Sequence, residues 1–432
     1  MPAAIILAAG LGTRMRSALP KALHPIAGRP MLNHLLAACE QVFDRIVVVV
    51  GPDMPALEAA ARPHATVVQA ERLGTGHAAL QAAPMLRDYG GDVAVLYADN
   101  PLIPVETLRR LVARRGEAGL ALLAMRPADP GRYGRVVTDA GGEVRRVVEW
   151  ADADAAERGI GLCNAGVVCA PAGALFRWLD AVRPDNAKAE YYLTDIVGLA
   201  VADGQRVVAE EAAEADLAGA NSRAELAGLE AGMQARLRAA AMAGGATLVA
   251  PETVFLAWDT VLGEDVTVAP NVVFGPGVTI EDAVEIRSFS HLEGCIVRRG
   301  AIIGPYARLR PGTEVGPRAH VGNFVELKAA TLGEGAKANH LSYLGDASIG
   351  AGANIGAGTI TCNYDGVNKW TTTIGDRVFV GSNSSLVAPV TLEDDATIGA
   401  GSVITKDAAA GELTVARAPQ QTLGGWQRPR KK

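Results

Sequence analysis

The chain has 432 residues and a formal net charge of −6, from 41 Lys and Arg against 47 Asp and Glu. That length predicts two or three domains, each large enough for a core of its own. The mild acidity argues against a general nucleic-acid-binding surface or a polybasic membrane anchor. No stretch approaches the roughly 18 consecutive apolar residues of a membrane-spanning helix. We therefore expect small molecules as partners, with no nucleic acid and no membrane span.

Residue usage predicts a cellular compartment and a backbone with many bends. Glycine contributes 49 residues and aromatic residues only 5%, a balance that favours tight turns with small aliphatic filling. The five cysteines are scattered and form no CxxC pair, as is typical of free thiols in a reducing compartment. We therefore predict a cytoplasmic protein. The apolar stretch 3–9 has no basic segment before it, so it predicts a first strand rather than a signal peptide.

Residues 1–221 alternate short β-branched runs with Ala- and Leu-rich stretches. This pattern is typical of an α/β domain with a mostly parallel, Rossmann-like sheet. We predict strands at Ala3–Leu7, Arg45–Val50, Thr66–Val68, Val93–Tyr97, Leu120–Met125, Val144–Glu149 and Gly166–Cys169. We predict helices at Pro30–Ala38, Ala56–Ala61, Gly76–Met85 and Val105–Arg114. Residues 222–243 predict one further helix, a linker that ends at Gly244-Gly245.

From residue 244 to 432 the dominant period is six, and a repeat of this kind decides the fold of the segment. Apolar residues recur at Leu262, Val268, Phe274, Ile280, Ile286, Leu292, Ile303, Leu309, Val315, Val321 and Leu327, then, after slips of about one residue, at Leu332, Leu344, Ile349, Ile355, Ile374, Val380, Leu386, Leu392, Ile398 and Ile404. Hexads predict a left-handed parallel β-helix with three flat faces, in which the first residue of each hexad points inward. An amphipathic antiparallel sheet would show a period of two instead.

Two segments interrupt this period. The first is 358–373, and long excursions from a solenoid usually carry binding function. The second is the tail from about residue 407, which ends Gln427-Arg-Pro-Arg-Lys-Lys. This tail is either functional or simply a solvated basic end.

The segment after the first strand reads Leu7-Ala-Ala-Gly10-Leu-Gly12-Thr13-Arg14-Met15 and is followed by Pro20-Lys21. A glycine-rich turn at this place presents backbone N–H groups that can hold phosphates. The motif is neither a Walker A loop nor a dinucleotide fingerprint, because Arg14 stands where those motifs need a small residue. The segment resembles the sugar-nucleotide pyrophosphorylases, which join a nucleoside triphosphate to a sugar 1-phosphate and release pyrophosphate.

Further matches narrow the resemblance to the N-acetylglucosamine-1-phosphate uridylyltransferases. They are Gln69-Ala-Glu, Leu73-Gly-Thr75-Gly-His77-Ala, Tyr97-Ala-Asp99, Tyr133-Gly134-Arg135, Val148-Glu149, Asn164-Ala-Gly166, Tyr191-Tyr-Leu-Thr-Asp195 and Asn221. The resemblance implies that UTP and the UDP-sugar are bound at Leu7, Gly10, Gly12, Lys21, Gln69, Gly74, Thr75, Asp99, Gly134, Glu149, Asn164 and Asn221. Within that set, it assigns uracil to Gln69 and the backbone of Gly74 and Thr75. It assigns the N-acetylglucosamine to Gly134, Glu149 and Asn164.

The resemblance also implies Mg²⁺ bound by Asp99 and Asn221, oxygen donors that suit this ion. A sugar phosphate is already anionic, so its attack on the α-phosphorus needs charge cancellation and in-line geometry rather than a general base. Arg14, Lys21 and the metal would supply that cancellation. The alternatives are that Asp99 caps a helix and that Asn221 is only the N-cap of the linker helix.

Three positions depart from the family pattern in this half. Ala98 stands where the family usually has Gly, and Asn100 and Trp150 are also atypical. An extra methyl group beside the nucleotide would alter its fit. The resemblance therefore defines the reaction type more closely than the base preference.

The second half resembles the glucosamine-1-phosphate acetyltransferase part of the bifunctional enzymes of the same family. The matching segments are Arg308-Leu-Arg310-Pro-Gly312, Asn323-Phe-Val-Glu-Leu-Lys328, Asn339-His340-Leu-Ser-Tyr343-Leu-Gly-Asp346 and Asn354-Ile-Gly-Ala357-Gly-Thr-Ile-Thr-Cys-Asn363-Tyr364-Asp-Gly. Acetyl transfer to an amine needs a base and a place for the oxyanion. His340 is the candidate base, since an unperturbed imidazole titrates near neutrality. Asn339 stands where Gly is expected and would shift His340 slightly.

The remaining acetyl-site residues divide into two sets. Arg310 and Lys328 would clamp the sugar phosphate, and Tyr343 and Asn354 would position it. The resemblance assigns the acetyl-CoA side to Ala357, through its backbone amide, and to Asn363, Tyr364, Ser382, Ala400 and Arg417. The alternatives are a structural corner histidine at 340 and a solvated face for Arg310 and Lys328.

Together the two halves predict a homotrimeric bifunctional enzyme. It would acetylate glucosamine 1-phosphate with acetyl-CoA and then transfer UMP from UTP to the product. One alternative is a monofunctional nucleotidyltransferase with an inert β-helix, and another is a non-catalytic sugar-nucleotide sensor. The joint presence of Arg14, Lys21, Asp99 and His340 argues against both.

Overall fold

The computed structural model describes residues 1–429 and 431. Arg430 and Lys432, which belong to the predicted basic tail, lie outside the described residues. The chain divides into two compact units, Met1–Met233 and Gln234–Lys432. No helix among the described residues is long and apolar enough to cross a membrane.

The first unit is an α/β sheet domain. Its strands are β1 (Ala3–Leu7), β2 (Pro25–Ile26), β3 (Arg29–Pro30), β4 (Arg45–Val50), β5 (Ala65–Val68), β6 (Asp92–Tyr97), β7 (Leu120–Met125), β8 (Arg135–Thr138), β9 (Val144–Val148), β10 (Cys163–Pro171) and β11 (Val207–Glu211). Its helices are α1 (Met31–Cys39), α2 (Pro55–Ala61), α3 (Thr75–Leu80), α4 (Ala83–Leu86), α5 (Val105–Gly116), α6 (Ala155–Arg158), α7 (Ala172–Ala181), α8 (Asp195–Ala202) and α9 (Glu214–Leu217). Helix α10 (Arg223–Ala243) follows them.

The sheet runs in the order β11-β7-β10-β6-β1-β4-β5. Neighbouring strands along this order are parallel except β10, which pairs antiparallel with β6 and β7. Strands β8 and β9 extend the sheet beside β10 through further antiparallel pairs. The predicted mostly parallel sheet is therefore confirmed. Strands β1, β4 and β7 have the predicted bounds, because continuous apolar runs buried on both faces are easily read from sequence.

Several elements of this unit differ from the prediction. The helix expected at Gly76–Met85 is two short helices, α3 and α4. Pro84 lies in the first turn of α4, where it needs no N–H partner, and it would break a continuous helix. The sequence analysis also missed the strands β8 and β11 and the helices α7 and α8.

The second unit is a left-handed parallel β-helix. Its strands are β12 (Thr247–Leu248), β13 (Val261–Leu262), β14 (Thr267–Val268), β15 (Val273–Phe274), β16 (Thr279–Ile280), β17 (Glu285–Ile286), β18 (His291–Leu292), β19 (Cys295–Val297), β20 (Ile302–Ile303), β21 (Arg308–Leu309), β22 (Thr313–Val315), β23 (His320–Asn323), β24 (Glu326–Lys328), β25 (Thr331–Leu332), β26 (Lys337–His340), β27 (Tyr343–Gly345), β28 (Ala347–Ile349), β29 (Asn354–Ile355), β30 (Ile360–Cys362), β31 (Thr372–Ile374), β32 (Phe379–Val380), β33 (Ser385–Val387), β34 (Val390–Leu392), β35 (Thr397–Ile398), β36 (Val403–Ile404) and β37 (Leu413–Thr414).

Each coil of the β-helix contributes one strand to each of three parallel sheets within the described chain. The hexad positions point inward as predicted: Val268, Ile286 and Ile303 are each no more than 1% exposed, and they join one continuous core. Most coils take 17 or 18 residues, as the register of β17 with β14 and β20 shows. The excursion lengthens one coil, since Ile349 pairs with Ile374.

Candidate functional sites

A cleft of about 600 Å³ opens in the first unit where β1, β5 and β6 end. This is the side of a parallel sheet on which ligands usually bind, and the volume fits a small-molecule site. The predicted residues that line it are Leu7, Gly10, Lys21, Gln69, Gly74, Thr75, Asp99, Gly134, Glu149, Asn164 and Asn221. Gly12 and Arg14 are not among its lining residues.

The glycine-rich segment after β1 places Lys21 in the cleft. Gly12 has φ +61°, and a Cβ atom there would lie 2.7 Å from the Cβ of Lys21. Gly12 therefore permits the close approach of Lys21, which is a structural contribution. Arg14 lies in the 3-10 turn Thr13–Met15 and is exposed.

Lys21, Asp99 and Asn221 meet although they are distant in sequence. The Lys21 ammonium group forms an ion pair with Asp99 and donates to Asn221 Oδ1 at 3.0 Å. Asp99 lies in the turn after β6, and Ala220 N donates to the Asp99 carbonyl at 3.2 Å, which holds the two loops together. Two oxygens from separate loops therefore converge on one cation.

The oxygens of Asp99 and Asn221 are also suitable donors for a divalent metal ion. One carboxylate and one carboxamide oxygen are hard donors, and Mg²⁺ typically takes one or two protein oxygens while water and substrate phosphates complete its shell. The described residues contain no cluster of three or more His, Cys, Asp or Glu that would form an all-protein metal cage. The donor set therefore fits a metal that arrives with a phosphate ligand.

The predicted uracil-reading residues lie close together in the cleft. Gln69 is 3% exposed, and its Nε2 donates to the Gly74 carbonyl at 3.1 Å. Gly74 has φ +120°, and a Cβ atom there would collide with the backbone of Tyr191. The Thr75 hydroxyl accepts from Leu193 N at 3.0 Å. The segment 191–193 therefore fixes the Gly74–Thr75 backbone.

The predicted sugar residues line another part of the same cleft. Glu149 accepts from the Thr194 hydroxyl at 3.2 Å, and burial raises the pKa of Glu149. Asn164 N donates to the Gly134 carbonyl at 2.9 Å, while Asn164 Oδ1 accepts from Gly166 N at 3.1 Å. The Asn164 amide is thereby oriented by the backbone of Gly166. Other cleft residues that the sequence analysis did not assign are Arg72, Arg132, Tyr133, Lys188, Glu190, Tyr192 and Thr194.

Arg135 supports the loop that carries Gly134. It is 1% exposed, and its guanidinium group donates to the carbonyls of Pro130, Gly131 and Tyr133. A buried cation is costly unless it is fully hydrogen-bonded, and these carbonyls provide the bonds. Arg135 therefore fixes the 130–134 loop against the cleft.

The three atypical residues have different surroundings. Ala98 lines the cleft and is 2% exposed. Asn100 donates from Nδ2 to the Leu217 carbonyl at 2.6 Å, which ties the loop after β6 to the segment that leads to Asn221. Trp150 does not line the cleft, and the guanidinium carbons of Arg135 and Arg158 each lie 4.9 Å from its ring centroid. Trp150 is therefore a packing residue.

In the second unit, His340 lies at the end of β26 and is exposed. Its Nδ1 lies 2.7 Å from Asn323 Oδ1 on β23, where the two residues are in register. Since a carboxamide oxygen only accepts, this contact places a proton on Nδ1. The Nε2 lone pair of a neutral His340 ring then remains available to take a proton.

Cationic side chains lie close together on the next sheet of the β-helix, which contains β21 and β24. Arg310 forms an ion pair with Glu326 at 2.9 Å. Lys369, on the excursion, contacts Lys328 and lowers its pKa, and Arg310 adds to this effect. Like charges in contact are unfavourable without a counter-ion, so this cluster suits an anion. The sequence analysis did not assign Lys369.

Hydrogen bonds within the excursion hold its conformation. Trp370 Nε1 donates to Asp365 Oδ2 at 2.7 Å, and the bonds from Trp370 and the backbone of Asn368 and Val367 lower the pKa of Asp365 to about 2. Asn363 is buried and donates to Asp346 on the preceding coil. Tyr364 is 61% exposed beside it. These hydrogen bonds therefore fix the backbone of the excursion, and the Tyr364 side chain remains exposed on it.

The predicted coenzyme residues follow one another along a corner of successive coils. The backbone carbonyl of Ala357 accepts from Asn383 N at 2.8 Å, and the backbone carbonyl of Ser382 accepts from Gly401 N at 2.8 Å. The Arg417 guanidinium group donates to the Ala400 carbonyl at 2.5 Å. Tyr343 begins β27, on the sheet that carries Lys328, and Asn354 begins β29, on the sheet that carries His340. The fold therefore brings the predicted acetyl-site residues to neighbouring coils.

Comparison with known proteins agrees with this two-part architecture. Residues 4–165 match the family model described as a MobA-like NTP transferase domain, and residues 371–406 match the hexapeptide repeat of succinyl-transferase. A protein of Gluconacetobacter diazotrophicus named bifunctional protein GlmU is 65% identical over 98% of this chain and 92% of its own length. Proteins of the same name from Acidiphilium cryptum and Paramagnetospirillum magneticum are 61% and 56% identical, and each alignment covers at least 95% of both chains.

Proposed function

The chain belongs to the family of bifunctional GlmU proteins, and from that premise we propose which of its residues carry the two activities. It is a bifunctional transferase that makes UDP-N-acetylglucosamine. Acetyl-CoA first acetylates glucosamine 1-phosphate. UTP then transfers UMP to N-acetylglucosamine 1-phosphate, with release of pyrophosphate. We propose that residues 1–221 carry uridylyl transfer, that residues 222–243 form a linker helix, and that residues 244–432 carry acetyl transfer.

The cleft of the first unit is the proposed site of uridylyl transfer. The single observation that carries this assignment is the convergence of Lys21, Asp99 and Asn221 at the end of β6. A sugar-phosphate oxygen attacks the α-phosphorus of UTP, and the bond to pyrophosphate breaks. Lys21 stabilises the charge on the reacting phosphates, and Gln69 hydrogen-bonds to uracil. Glu149 and Asn164 hold the sugar. Arg14 is assigned to charge cancellation with Lys21, although it does not line the cleft in this structure.

We propose that the divalent cation of this site is Mg²⁺, held by Asp99 and Asn221. When bound, the ion neutralises phosphate charge. Lys21 contacts both oxygens here, so lysine and metal would share these two acceptors. This sharing predicts that the ammonium group turns toward the phosphates once the metal is present. Asp99 and Asn221 would thus hold the cation, and the Lys21 ammonium group would be left to stabilise phosphate charge.

Acetyl transfer is assigned to the β-helix, with His340 as general base. The amine nitrogen of glucosamine 1-phosphate forms a bond to the thioester carbonyl, its proton passes to His340 Nε2, and the C–S bond breaks. That proton then neutralises the leaving thiolate of coenzyme A. The Ala357 backbone amide would stabilise the oxyanion. Arg310, Lys328 and Lys369 supply the cations for the sugar phosphate, with Tyr343 and Asn354 beside it.

Coenzyme A is assigned to the corner that carries Ser382, Ala400 and Arg417, with Asn363 and Tyr364 next to the reacting thioester. We further propose a homotrimer, because flat solenoid faces suit side-by-side packing. The five cysteines of the chain are free thiols. The cytoplasmic location expected from them stays a prediction.

Two substitutions in the full-length chain test the assignment. Asp99→Ala should abolish pyrophosphate release and leave thiol release near normal. His340→Ala should lower thiol release by about 10²–10⁴-fold, the usual contribution of a positioned base, and leave pyrophosphate release from N-acetylglucosamine 1-phosphate unchanged.

Matched controls exist for both substitutions. Asp92 begins the same strand that leads to Asp99 and is also ion-paired, to Arg115 at 2.6 Å; Asp92→Ala should keep both activities. His291 is exposed on another coil, and His291→Ala should also keep both. Pyrophosphate release near the parent rate in Asp99→Ala would refute the metal assignment. Full acetylation in His340→Ala would refute the base.

A further inference from the structure

The contact between Asn323 and His340 stands out because both side chains lie on the outer surface of the β-helix. Asn323 ends β23 and His340 ends β26, and the parallel register pairs these residues directly. The 2.7 Å separation of Asn323 Oδ1 and His340 Nδ1 is a good hydrogen-bond length. The backbone pairing therefore fixes the separation of the two side chains.

The contact selects one state of the imidazole ring. A carboxamide oxygen accepts a proton and donates none, so Nδ1 must carry the hydrogen and Nε2 must carry the lone pair. Without this partner, a solvated ring would populate both tautomers and rotate about its side-chain bonds. Unlike a carboxylate, Asn323 selects the tautomer without a charge that would hold the proton on the ring after its transfer.

We propose that Asn323 is a positioning residue for acetyl transfer, which orients His340 and holds it in the tautomer whose Nε2 accepts the amine proton. This inference rests on the proposed role of His340 as the base. Asn323 itself acts only through the ring of His340. It is therefore a positioning residue and not a catalytic one.

The charged and titratable residues near His340 determine how the pH profile of acetyl transfer responds to a substitution at Asn323. His320, on the same strand as Asn323, has its pKa lowered by burial first, and His340 adds a smaller electrostatic effect. Lys337 lies on the strand of His340 itself, and the following strand begins with the uncharged Asn354. Neither neighbouring strand of this sheet carries a carboxylate, and Glu326, which begins the next strand along the chain, is ion-paired with Arg310.

The test compares Asn323→Leu with Asn323→Asp in the full-length enzyme. Asn323→Leu removes the acceptor at similar size, and thiol release should lose about tenfold to a hundredfold in kcat with the KM for glucosamine 1-phosphate little changed. Asn323→Asp keeps the acceptor and adds negative charge, which favours the imidazolium form. Its activity should recover at alkaline pH, with the acid limb of kcat moved up by about one pH unit.

A double variant separates this inference from the assignment of the base. If Asn323 acts through His340, Asn323→Leu in the His340→Ala background should cause no further loss. A matched control is Ser348→Ala, which removes another hydrogen bond between coils, from Thr331 at 3.3 Å, on a different sheet. This control should leave thiol release unchanged.

The outcomes are distinct. An inactive His340→Ala with a normal Asn323→Leu would overturn only the positioning role. A fully active His340→Ala would overturn both the base and the positioning role. If Asn323→Leu does not fold, an Asn323→Asp pH profile that superimposes on the parent profile would still refute the inference.

Discussion

Gly12→Ala tests how the glycine-rich segment controls Lys21. A Cβ atom at position 12 would lie 2.7 Å from the Cβ of Lys21, well inside the 3.4 Å at which such contacts become ordinary. The φ of +61° adds strain, about 1–2 kcal/mol for an L-residue in this conformation. Lys21 must therefore shift by several tenths of an ångström, which displaces its ammonium group relative to Asp99 and Asn221.

The expected consequence is a specific loss of uridylyl transfer. Misplacement of a charged group by about 1 Å can cost a hundredfold in rate, so we expect pyrophosphate release to fall by about tenfold to a hundredfold. Thiol release from acetyl-CoA in the same preparation should not change, because the acetyl site lies in the other unit. Both rates are measured on the full-length variant with N-acetylglucosamine 1-phosphate or glucosamine 1-phosphate as substrate.

Gly173→Ala provides the matched control. Gly173 lies in α7, and a Cβ atom there would meet nothing within 4 Å. This variant should keep both activities and gain a little stability. Pyrophosphate release by Gly12→Ala within twofold of Gly173→Ala would refute the idea that Gly12 is needed for the position of Lys21.

Three further predictions concern the first unit. UTP should have a higher kcat/KM than ATP, because adenine presents a different set of donors and acceptors to Gln69 and the Gly74–Thr75 backbone, and than dTTP, which adds a methyl group to the base and lacks the ribose 2′-hydroxyl; comparable values for two of these nucleotides would reject the uracil assignment. Arg135→Met should raise the KM for N-acetylglucosamine 1-phosphate by about tenfold or more and leave that for UTP almost unchanged, since it frees the 130–134 loop; equal effects on both KM values would count against that role. Asp195 has its pKa raised to about 6, by burial and then by Glu149 and Asp152. A raised carboxyl pKa adds stability at acidic pH that is lost as pH rises through that value. Asp195→Asn should therefore raise the Tm relative to the parent chain more at pH 7 than at pH 4, and a difference independent of pH would contradict this.

The β-helix shows how far a sequence pattern alone can predict a fold. Each hexad must place an apolar residue inward, so the period can be read without tertiary information. Residues such as Val268 and Ile398 are fully buried as expected. The excursion was also visible, because it interrupts that period.

The first unit shows where such patterns fail. Strand β10 is buried and antiparallel, but the sequence of a buried strand does not encode its direction. The break between α3 and α4 had a signal in Pro84, which the alternation of apolar residues concealed. Helices α7 and α8 are rich in apolar residues and were missed, although Thr194 and Asp195 at the start of α8 are residue types typical of a helix N-terminus.

Side-chain contacts between successive coils could not be predicted from the sequence either. Asn323 and His340 are separated by one coil, so their contact depends on a register that slips of one residue would change. Lys369 approaches Lys328 only through the path of the excursion. The burial of Arg135 follows from tertiary packing, although its place after Gly134 had marked it as part of a motif. Candidate site residues could therefore be predicted where they belong to a motif, but the contacts between their side chains could not.

The coupled reaction tests the central claim most directly. Purified full-length protein receives glucosamine 1-phosphate, acetyl-CoA, UTP and Mg²⁺, and free thiol and pyrophosphate are followed separately. Thiol should appear first, and pyrophosphate release should require acetyl-CoA. When N-acetylglucosamine 1-phosphate replaces glucosamine 1-phosphate, pyrophosphate should appear without acetyl-CoA. Absence of thiol release, or rapid pyrophosphate release from glucosamine 1-phosphate without acetyl-CoA, would contradict the two-step account.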